Sequence, residues 1–150
     1  MSEAAPVIGH HIDGKDVMEG DVVDRHNPAD YDEVVAQSHD GTPAIMASAV
    51  DSAARAQEKW GEVTHSVRGE VLFYAATLLN TPEWRSRFVQ AMVAEIGKTT
   101  AGANGEVTKT YNILRYMSGL PTHTRGDVFN ADQPNVHMYS EREPVGVAGL

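Results

Sequence analysis

The chain of 150 residues contains no cysteine. This absence excludes a disulfide framework, a thiolate-bound zinc site and a cysteine nucleophile within these residues. Positive charge is also scarce, because 12 basic residues stand against 21 acidic ones and the net charge is −9. Such a balance argues against nucleic acid or an anionic membrane as the main partner. We favour a solvated acidic surface as the explanation, with adaptation to high salt as the alternative.

Long apolar runs are missing as well. No segment approaches the roughly 18 apolar residues that a membrane-spanning helix needs. The N-terminus lacks the basic and apolar stretches of a secretory signal. A cytoplasmic location is therefore expected, with no membrane partner. Apolar residues make up 41% and charged residues 22% of the chain, which is typical of a globular protein.

Short strands joined by turns are predicted over residues 8–37. Asp13-Gly14 is typical of a hairpin turn. Asn27-Pro28-Ala29-Asp30 indicates a second turn before a strand at Val34–Ala36, and Asp40-Gly41 closes this part. The strands lie before a long stretch of helical periodicity.

Four helices are predicted from cap residues and apolar spacing. The first helix begins at Thr42-Pro43, reaches Trp60 and is ended by Gly61. The second begins near Ser66, which would be its cap, and reaches Leu79, and the third begins at Thr81-Pro82 and ends at Gly97. The fourth covers Gly102 to Ser118, and Gly119 follows its end.

Strand patterns return after Gly126, at Val128-Phe129 and over residues 136–140. A charged turn then leads into Val145, Val147 and Leu150, whose apolar character predicts a buried strand that begins a parallel sheet. A parallel strand needs a crossover and a partner. The chain is therefore expected to be the opening portion of a larger α/β protein.

Several motifs are weak candidates for chemistry. Gly97-Lys98-Thr99 lacks the earlier glycine and the preceding strand of a phosphate loop, so a helix C-cap with a basic residue near the carbonyl end is favoured. Gly146 and Gly149 do not complete a dinucleotide fingerprint. His10-His11 have no further metal ligands nearby, and exposed histidines are the favoured interpretation. No metal site is predicted.

Other side chains have ordinary structural explanations. Ser66 lacks a nucleophile elbow, and a local hydrogen bond beside Asp40 suffices for His39. An aromatic set falls on apolar helical stripes, so core packing is favoured over an aromatic cage. Its members are Trp60, Trp84, Phe88 and Tyr111.

Lys109 and Asn112 are three residues apart on the fourth helix and should share a face. A cation and an amide on one face could hold a carboxylate, although a solvated polar face is the favoured alternative. No catalytic site is visible from the residues alone.

Taken in order, several short motifs resemble the N-terminal part of the aldehyde dehydrogenase superfamily. They are Ile12-Asp13-Gly14-Lys15, Asn27-Pro28-Ala29, Ala49-Val50-Asp51-Ser52-Ala53 with Trp60, Arg68, Glu95-Ile96-Gly97-Lys98-Thr99, Arg115-Tyr116-Met117-Ser118-Gly119 and Arg142-Glu143-Pro144-Val145-Gly146-Val147. Each is weak alone, and their order over nearly the whole chain carries the resemblance.

The resemblance implies oxidation of an aldehyde to a carboxylate with NAD or NADP, through a cysteine thioester that a glutamate helps to hydrolyse. The backbone amide of that cysteine and an asparagine side chain form the family's oxyanion hole. These catalytic and cofactor-binding residues should all follow residue 150, so no catalytic or cofactor-binding residue is assigned here. The segment alone is expected to be inactive.

The implied fold is α/β: short strands, four helices, then a β segment that enters a truncated Rossmann-like sheet. Residues 1–123 would be the N-terminal strands and helical portion of the dinucleotide-binding domain, 124–143 a β segment that forms a homo-oligomer, and 144–150 the first strand of the truncated sheet. The helix with Lys109 and Asn112 resembles one that lines the substrate tunnel. Gly105-Glu106-Val107 and Ile113-Leu114 look closest to the ketoglutaric semialdehyde (2,5-dioxovalerate) branch.

Two other interpretations compete with a portion of an aldehyde dehydrogenase. One is a free-standing, non-catalytic oligomerisation or interaction module that retains the family's assembly surface. The other is an unrelated α/β binding protein, which would require the whole motif series to be coincidence.

Overall fold

The computed structural model describes residues 4–123 and 126–149. Its elements in chain order are β1 (Val7–Ile8), β2 (His10–Ile12), β3 (Lys15–Val17), β4 (Val22–Asn27), β5 (Asp30–His39), α1 (Pro43–Glu62), α2 (His65–Leu79), α3 (Pro82–Ile96), α4 (Thr100–Gly119), a 3₁₀ turn (Leu120–Thr122), β6 (Val128–Phe129) and β7 (Met138–Tyr139). The α/β class, with four helices between two sets of short strands, is confirmed.

The N-terminal strands form two small sheets. β1 pairs with β5 in parallel, and β4 pairs with β5 in the antiparallel sense. The Asn27 side chain closes the β4–β5 turn, because its Oδ1 accepts a hydrogen bond from the Ala29 amide at 2.9 Å. β2 and β3 form the predicted hairpin, in which Asp13 and Gly14 both have positive φ angles.

Three helices begin at a threonine whose hydroxyl accepts a hydrogen bond from a backbone amide of the first turn. Thr42 accepts from Ile45 at 3.2 Å, Thr81 from Trp84 at 3.4 Å and Thr99 from Gly102 at 3.1 Å. The predicted starts at Thr42 and Thr81 are therefore confirmed, and the fourth helix begins two residues earlier than predicted.

Several helix ends differ from those predicted. Gly61 does not stop α1, which continues to Glu62, since one glycine costs a helix only about 1 kcal/mol. Ser66 is not the cap of α2, because Thr64 holds that position. Gly119 has a φ of −84° and stays helical as the chain enters the 3₁₀ turn. Gly97, with a φ of 70°, is the left-handed C-cap that the sequence predicts.

The main apolar core lies between α2, α3 and α4. Its buried members come from all three helices, and half-buried side chains of α3 and α4 pack against them. Close approach of α2 to α4 depends on Gly69, where a Cβ atom would lie 2.5 Å from the Ser118 carbonyl oxygen. The core residues are Leu79, Val89, Ala103 and Val107, with Met92, Val93, Tyr111 and Leu114 around them.

The chain exposes much more surface than a compact monomer of its mass. Its accessible area is 11852 Å², whereas a folded monomer of 16.3 kDa exposes about 7,500 Å². The predicted core packing of the aromatic set is accordingly wrong for Trp60, Trp84 and Phe88, which are 41%, 36% and 48% exposed. Tyr111 does pack against the core, and Trp84 and Phe88 lie at its open edge.

The C-terminal part is only lightly paired. β6 and β7 form a two-stranded antiparallel ribbon, so the strand predicted over residues 136–140 shrinks to Met138–Tyr139. The strand predicted at 144–150 is not formed over 144–149, where Val145 is 98% exposed and Gly146 has a φ of 98°. A strand requires a neighbour for its hydrogen bonds, and no described segment pairs with this one. Residues 124, 125 and 150 lie outside the described residues.

Candidate functional site

Helix α4 carries both residues that the sequence selects, Lys109 and Asn112. Both are exposed, and their three-residue separation places them on one face of the helix. At 100° per residue this face lies away from the one that buries Ala103 and Val107. Among the described contacts, neither side chain forms a hydrogen bond or ion pair. The structure therefore brings the two together on an accessible polar face, as the helical periodicity predicts.

The same face carries a further polar group, the charged Glu106, that sequence reasoning missed. Glu106 lies one turn before Lys109, and its Oε1 accepts a hydrogen bond from the Lys98 ammonium at 2.7 Å. Lys98 follows the C-cap of α3 and precedes the N-cap of α4. Its charge therefore reaches the next helix, whereas the sequence interpretation placed it at the carbonyl end of α3. The available signal was the three-residue spacing of Glu106 and Lys109.

The electrostatics of the site centre on Glu106. The hydrogen bond from Lys98 lowers the pKa of this carboxyl below its ordinary value of 4.5, and the charge of Lys98 adds to the effect. The charge of Lys109 lowers the pKa further, while desolvation opposes it. Glu106 is thus an ionised carboxylate between two lysines, one in direct contact and one on its own helix.

Beside Glu106 an apolar groove of about 440 Å³ opens between α2, α3 and α4. Trp84 lines this groove, and the guanidinium of Arg87 lies 4.6 Å from the centre of the Trp84 ring. Glu106 therefore has the groove on one side and Lys109 on the other. The groove is lined by Ala75, Leu78, Leu79, Trp84, Phe88, Met92, Glu106, Val107, Thr110 and Leu114.

Each histidine candidate has a hydrogen-bond partner in the N-terminal part of the chain. His11 Nδ1 lies 2.9 Å from an Asp16 carboxylate oxygen, and His10 Nε2 lies 3.2 Å from the Glu19 carbonyl. His39 bonds to the Gly20 carbonyl at 3.0 Å instead of a group beside it in sequence. In the described ranges, no three acidic or histidine side chains are placed to hold a metal ion.

Ser66 and the C-terminal glycines show no catalytic arrangement. The Ser66 hydroxyl lies 3.4 Å from that of Thr64, and the adjacent His65 instead pairs through Nδ1 with the Arg68 guanidinium at 2.6 Å. Gly146 and Gly149 lie in an exposed segment without regular structure. Over residues 4–123 and 126–149, none of the helices is long and apolar enough to cross a membrane.

Comparison with known proteins identifies one family. The pattern described as the aldehyde dehydrogenase family matches residues 16–150. The alpha-ketoglutarate semialdehyde dehydrogenase of Haloferax volcanii is 34% identical over 131 residues, which cover 87% of this chain and 27% of that protein. The 2,5-dioxopentanoate dehydrogenase of Saccharolobus solfataricus is 30% identical over 124 residues, which cover 83% and 26%. The chain thus spans about a quarter of these relatives.

Solved structures agree in fold. A NAD-dependent benzaldehyde dehydrogenase from Corynebacterium glutamicum superposes with a TM-score of 0.76 and 29% identity, covering 86% of this chain and 28% of that one. Betaine aldehyde dehydrogenase from Staphylococcus aureus, in complex with NAD+, gives a TM-score of 0.81 and 25% identity, covering 89% and 27%.

Proposed function

Since the chain belongs to the aldehyde dehydrogenase family, we propose that it is part of an enzyme that oxidises an aldehyde to a carboxylate with NAD or NADP. Two observations support a role within a larger enzyme. The chain spans 27% of the Haloferax relative, and its 11852 Å² of accessible surface is about 1.6 times that of a compact monomer. The excess area provides extensive surface for further parts of the fold.

We assign the thioester-forming cysteine and the cofactor site to residues outside this chain. The chain has no cysteine, and its described residues do not fit a dinucleotide cradle. Gly146 and Gly149 lie in an exposed segment instead of between a strand and a helix. The 150 residues alone should therefore be inactive. A cytoplasmic location also stays a prediction.

For the substrate, we propose a dicarboxylic semialdehyde whose carboxylate is held by Lys109 and Asn112. Both side chains are accessible, share a face and have no hydrogen-bond partner among the described residues. An ammonium and an amide nitrogen are suitable donors for a carboxylate. Two of the relatives named above act, by their names, on aldehydes that carry a distal carboxylate. In this proposal the pair recognises the distal end of the substrate.

A steady-state assay of the full-length gene product would test both levels of the proposal. We would follow cofactor reduction with NAD and with NADP, using ketoglutaric semialdehyde and an uncharged aliphatic aldehyde of similar length. Reduction that depends on aldehyde supports the enzymatic assignment. No reduction with any aldehyde would favour the non-catalytic interaction module.

Lys109→Met tests the substrate contact. Loss of a charge-assisted hydrogen bond should raise KM for the acidic semialdehyde about 10-fold or more while kcat changes little. Lys59→Met is the matched control, because Lys59 is an exposed lysine at the end of α1. An equal KM in Lys109→Met and the control would rule out the contact.

We further propose that residues 124–143 form a homo-oligomer contact. The described part of this segment includes the β6–β7 ribbon, whose Val128 is 88% and Tyr139 69% exposed. An exposed ribbon offers unpaired strand edges to another copy. Tyr139→Lys should reduce the mass measured by light scattering, whereas Tyr31→Lys, at a tyrosine 76% exposed on β5, should not. Unchanged mass in both variants would contradict this assignment.

A further inference from the structure

The ion pair between Lys98 and Glu106 adjoins the proposed substrate site, although neither residue is proposed to bind the substrate. Lys98 lies in the α3–α4 connection, and its ammonium is 2.7 Å from Glu106. Glu106 is on α4, one turn from Lys109 and on the neighbouring part of the helix surface. One carboxylate is therefore within the influence of two lysines that come from different segments.

We propose that Lys98 is a specificity-determining residue that acts through Glu106 and keeps Lys109 available for an anionic substrate. This inference rests on the proposed contact between Lys109 and the substrate carboxylate. By donating to Glu106, Lys98 occupies the carboxylate that would otherwise pair with Lys109. Lys98 is then a positioning residue and does not itself touch the substrate.

The physical reason is the spacing on α4. Acidic and basic side chains three residues apart on a helix are neighbours and form ion pairs. Without Lys98, the nearest cation to Glu106 on this helix is Lys109, which already influences the Glu106 carboxyl. Lys98, Glu106 and Lys109 together carry a net charge of one positive unit. Without Lys98, the remaining Glu106 and Lys109 carry no net charge. Loss of Lys98 thus allows Glu106 to pair with Lys109, and it also removes the net positive charge that attracts an anion.

The expected effect is modest, because the groups are partly exposed. The side chains of Lys98 and Glu106 are 35% and 49% exposed. Water and salt screen such charges, so we expect Lys98→Met to raise KM for ketoglutaric semialdehyde about 3- to 5-fold at low ionic strength. The rise should shrink at about 0.5 M salt.

The test measures kcat and KM of the full-length enzyme with the acidic and the uncharged aldehyde. Lys98→Met should raise the ratio of KM for the acidic aldehyde to KM for the uncharged aldehyde. Lys98→Arg should preserve this ratio, because a donor to Glu106 remains. Glu106→Gln should lower the ratio. The double variant Lys98→Met/Glu106→Gln should return it to the wild-type range, since no carboxylate is left to occupy Lys109. A merely structural role of Lys98 would instead lower kcat for both aldehydes.

Failure of this inference can be told apart from failure of the proposed function. An unchanged KM in Lys109→Met would remove the substrate contact on which it rests. A raised KM in Lys109→Met with an unchanged ratio in Lys98→Met would overturn only the role of Lys98. If Lys98→Met does not fold, Glu106→Gln in the wild-type background still decides, because an unchanged ratio there contradicts the proposal.

Discussion

Gly97→Ala is expected to destabilise the protein more than a change at any exposed helical glycine. Gly97 ends α3 with a φ of 70°, and an added Cβ would lie 2.8 Å from Cγ of Pro28. The left-handed conformation costs a residue with a side chain roughly 1–2 kcal/mol. Overpacking against the proline ring adds about 1–3 kcal/mol. We expect a total loss of about 2–5 kcal/mol in the free energy of unfolding.

Two control substitutions separate these contributions. Gly14 has a φ of 74° with no atom within 4 Å of an added Cβ, so Gly14→Ala reports the backbone cost alone, about 1–2 kcal/mol. Gly105 lies in open space inside α4, and Gly105→Ala should stabilise by about 0.5–1 kcal/mol. The assay is urea unfolding of the full-length protein, followed by helical circular dichroism.

The steric part can be measured with a double-mutant cycle. Pro28→Ala removes the ring atoms that Gly97→Ala would meet, so the two changes together should cost less than the sum of the single changes by about 1–3 kcal/mol. If Gly97→Ala costs no more than Gly14→Ala, or if the cycle shows no coupling, the contact between the β4–β5 turn and the end of α3 does not contribute to stability.

Three further predictions use the same protein. Thr42→Ala should cost about 0.5–2 kcal/mol in urea unfolding, because its hydroxyl caps α1, whereas Thr64→Ala should cost much less since Thr64 makes no cap hydrogen bond; equal losses would contradict this. Gly69→Ala should cost about 1–3 kcal/mol because its Cβ would meet the backbone of α4 at 2.5 Å, and a neutral result would show that the two helices can separate freely. The pKa of Glu106 is lowered, so its pairing with Lys98 is complete above the ordinary value of 4.5 and is lost as pH falls through the lowered pKa. An NMR titration should therefore return this pKa toward 4.5 in the double variant Lys98→Met/Lys109→Met, where neither lysine is left beside the carboxylate, and a pKa that stays lowered there would refute the pairing.

Sequence reasoning succeeded where the physical cause is local. The cap at Thr42, the left-handed Gly97 and the Asp13-Gly14 hairpin each depend on residues a few positions away, so the chain itself contains the full signal. The shared face of Lys109 and Asn112 follows in the same way from helical periodicity.

Where the cause lies in distant segments, sequence reasoning failed. The strand predicted at 144–150 lacks a described partner over 144–149, and the core packing predicted for Trp60, Trp84 and Phe88 fails because these residues stay exposed. The Lys98–Glu106 pair joins a loop to a helix, and its distance depends on how α3 and α4 pack. Gly119 is predicted to end the fourth helix, yet it stays helical. The 3₁₀ turn that follows accommodates Pro121, because a proline fits the first turn of a helix.

The contact between Gly97 and Pro28 explains why separate weak motifs are informative together. Asn27-Pro28-Ala29 forms the β4–β5 turn, and Glu95-Ile96-Gly97-Lys98 forms the end of α3 and the entry to α4. Either motif alone is compatible with many folds, because an Asx-type turn and a glycine C-cap are common local structures. The close packing of the proline ring on a residue without a Cβ requires both at once. The same α3 end then directs Lys98 to Glu106, so a turn in the N-terminal sheet is linked by successive contacts to the charged face of α4.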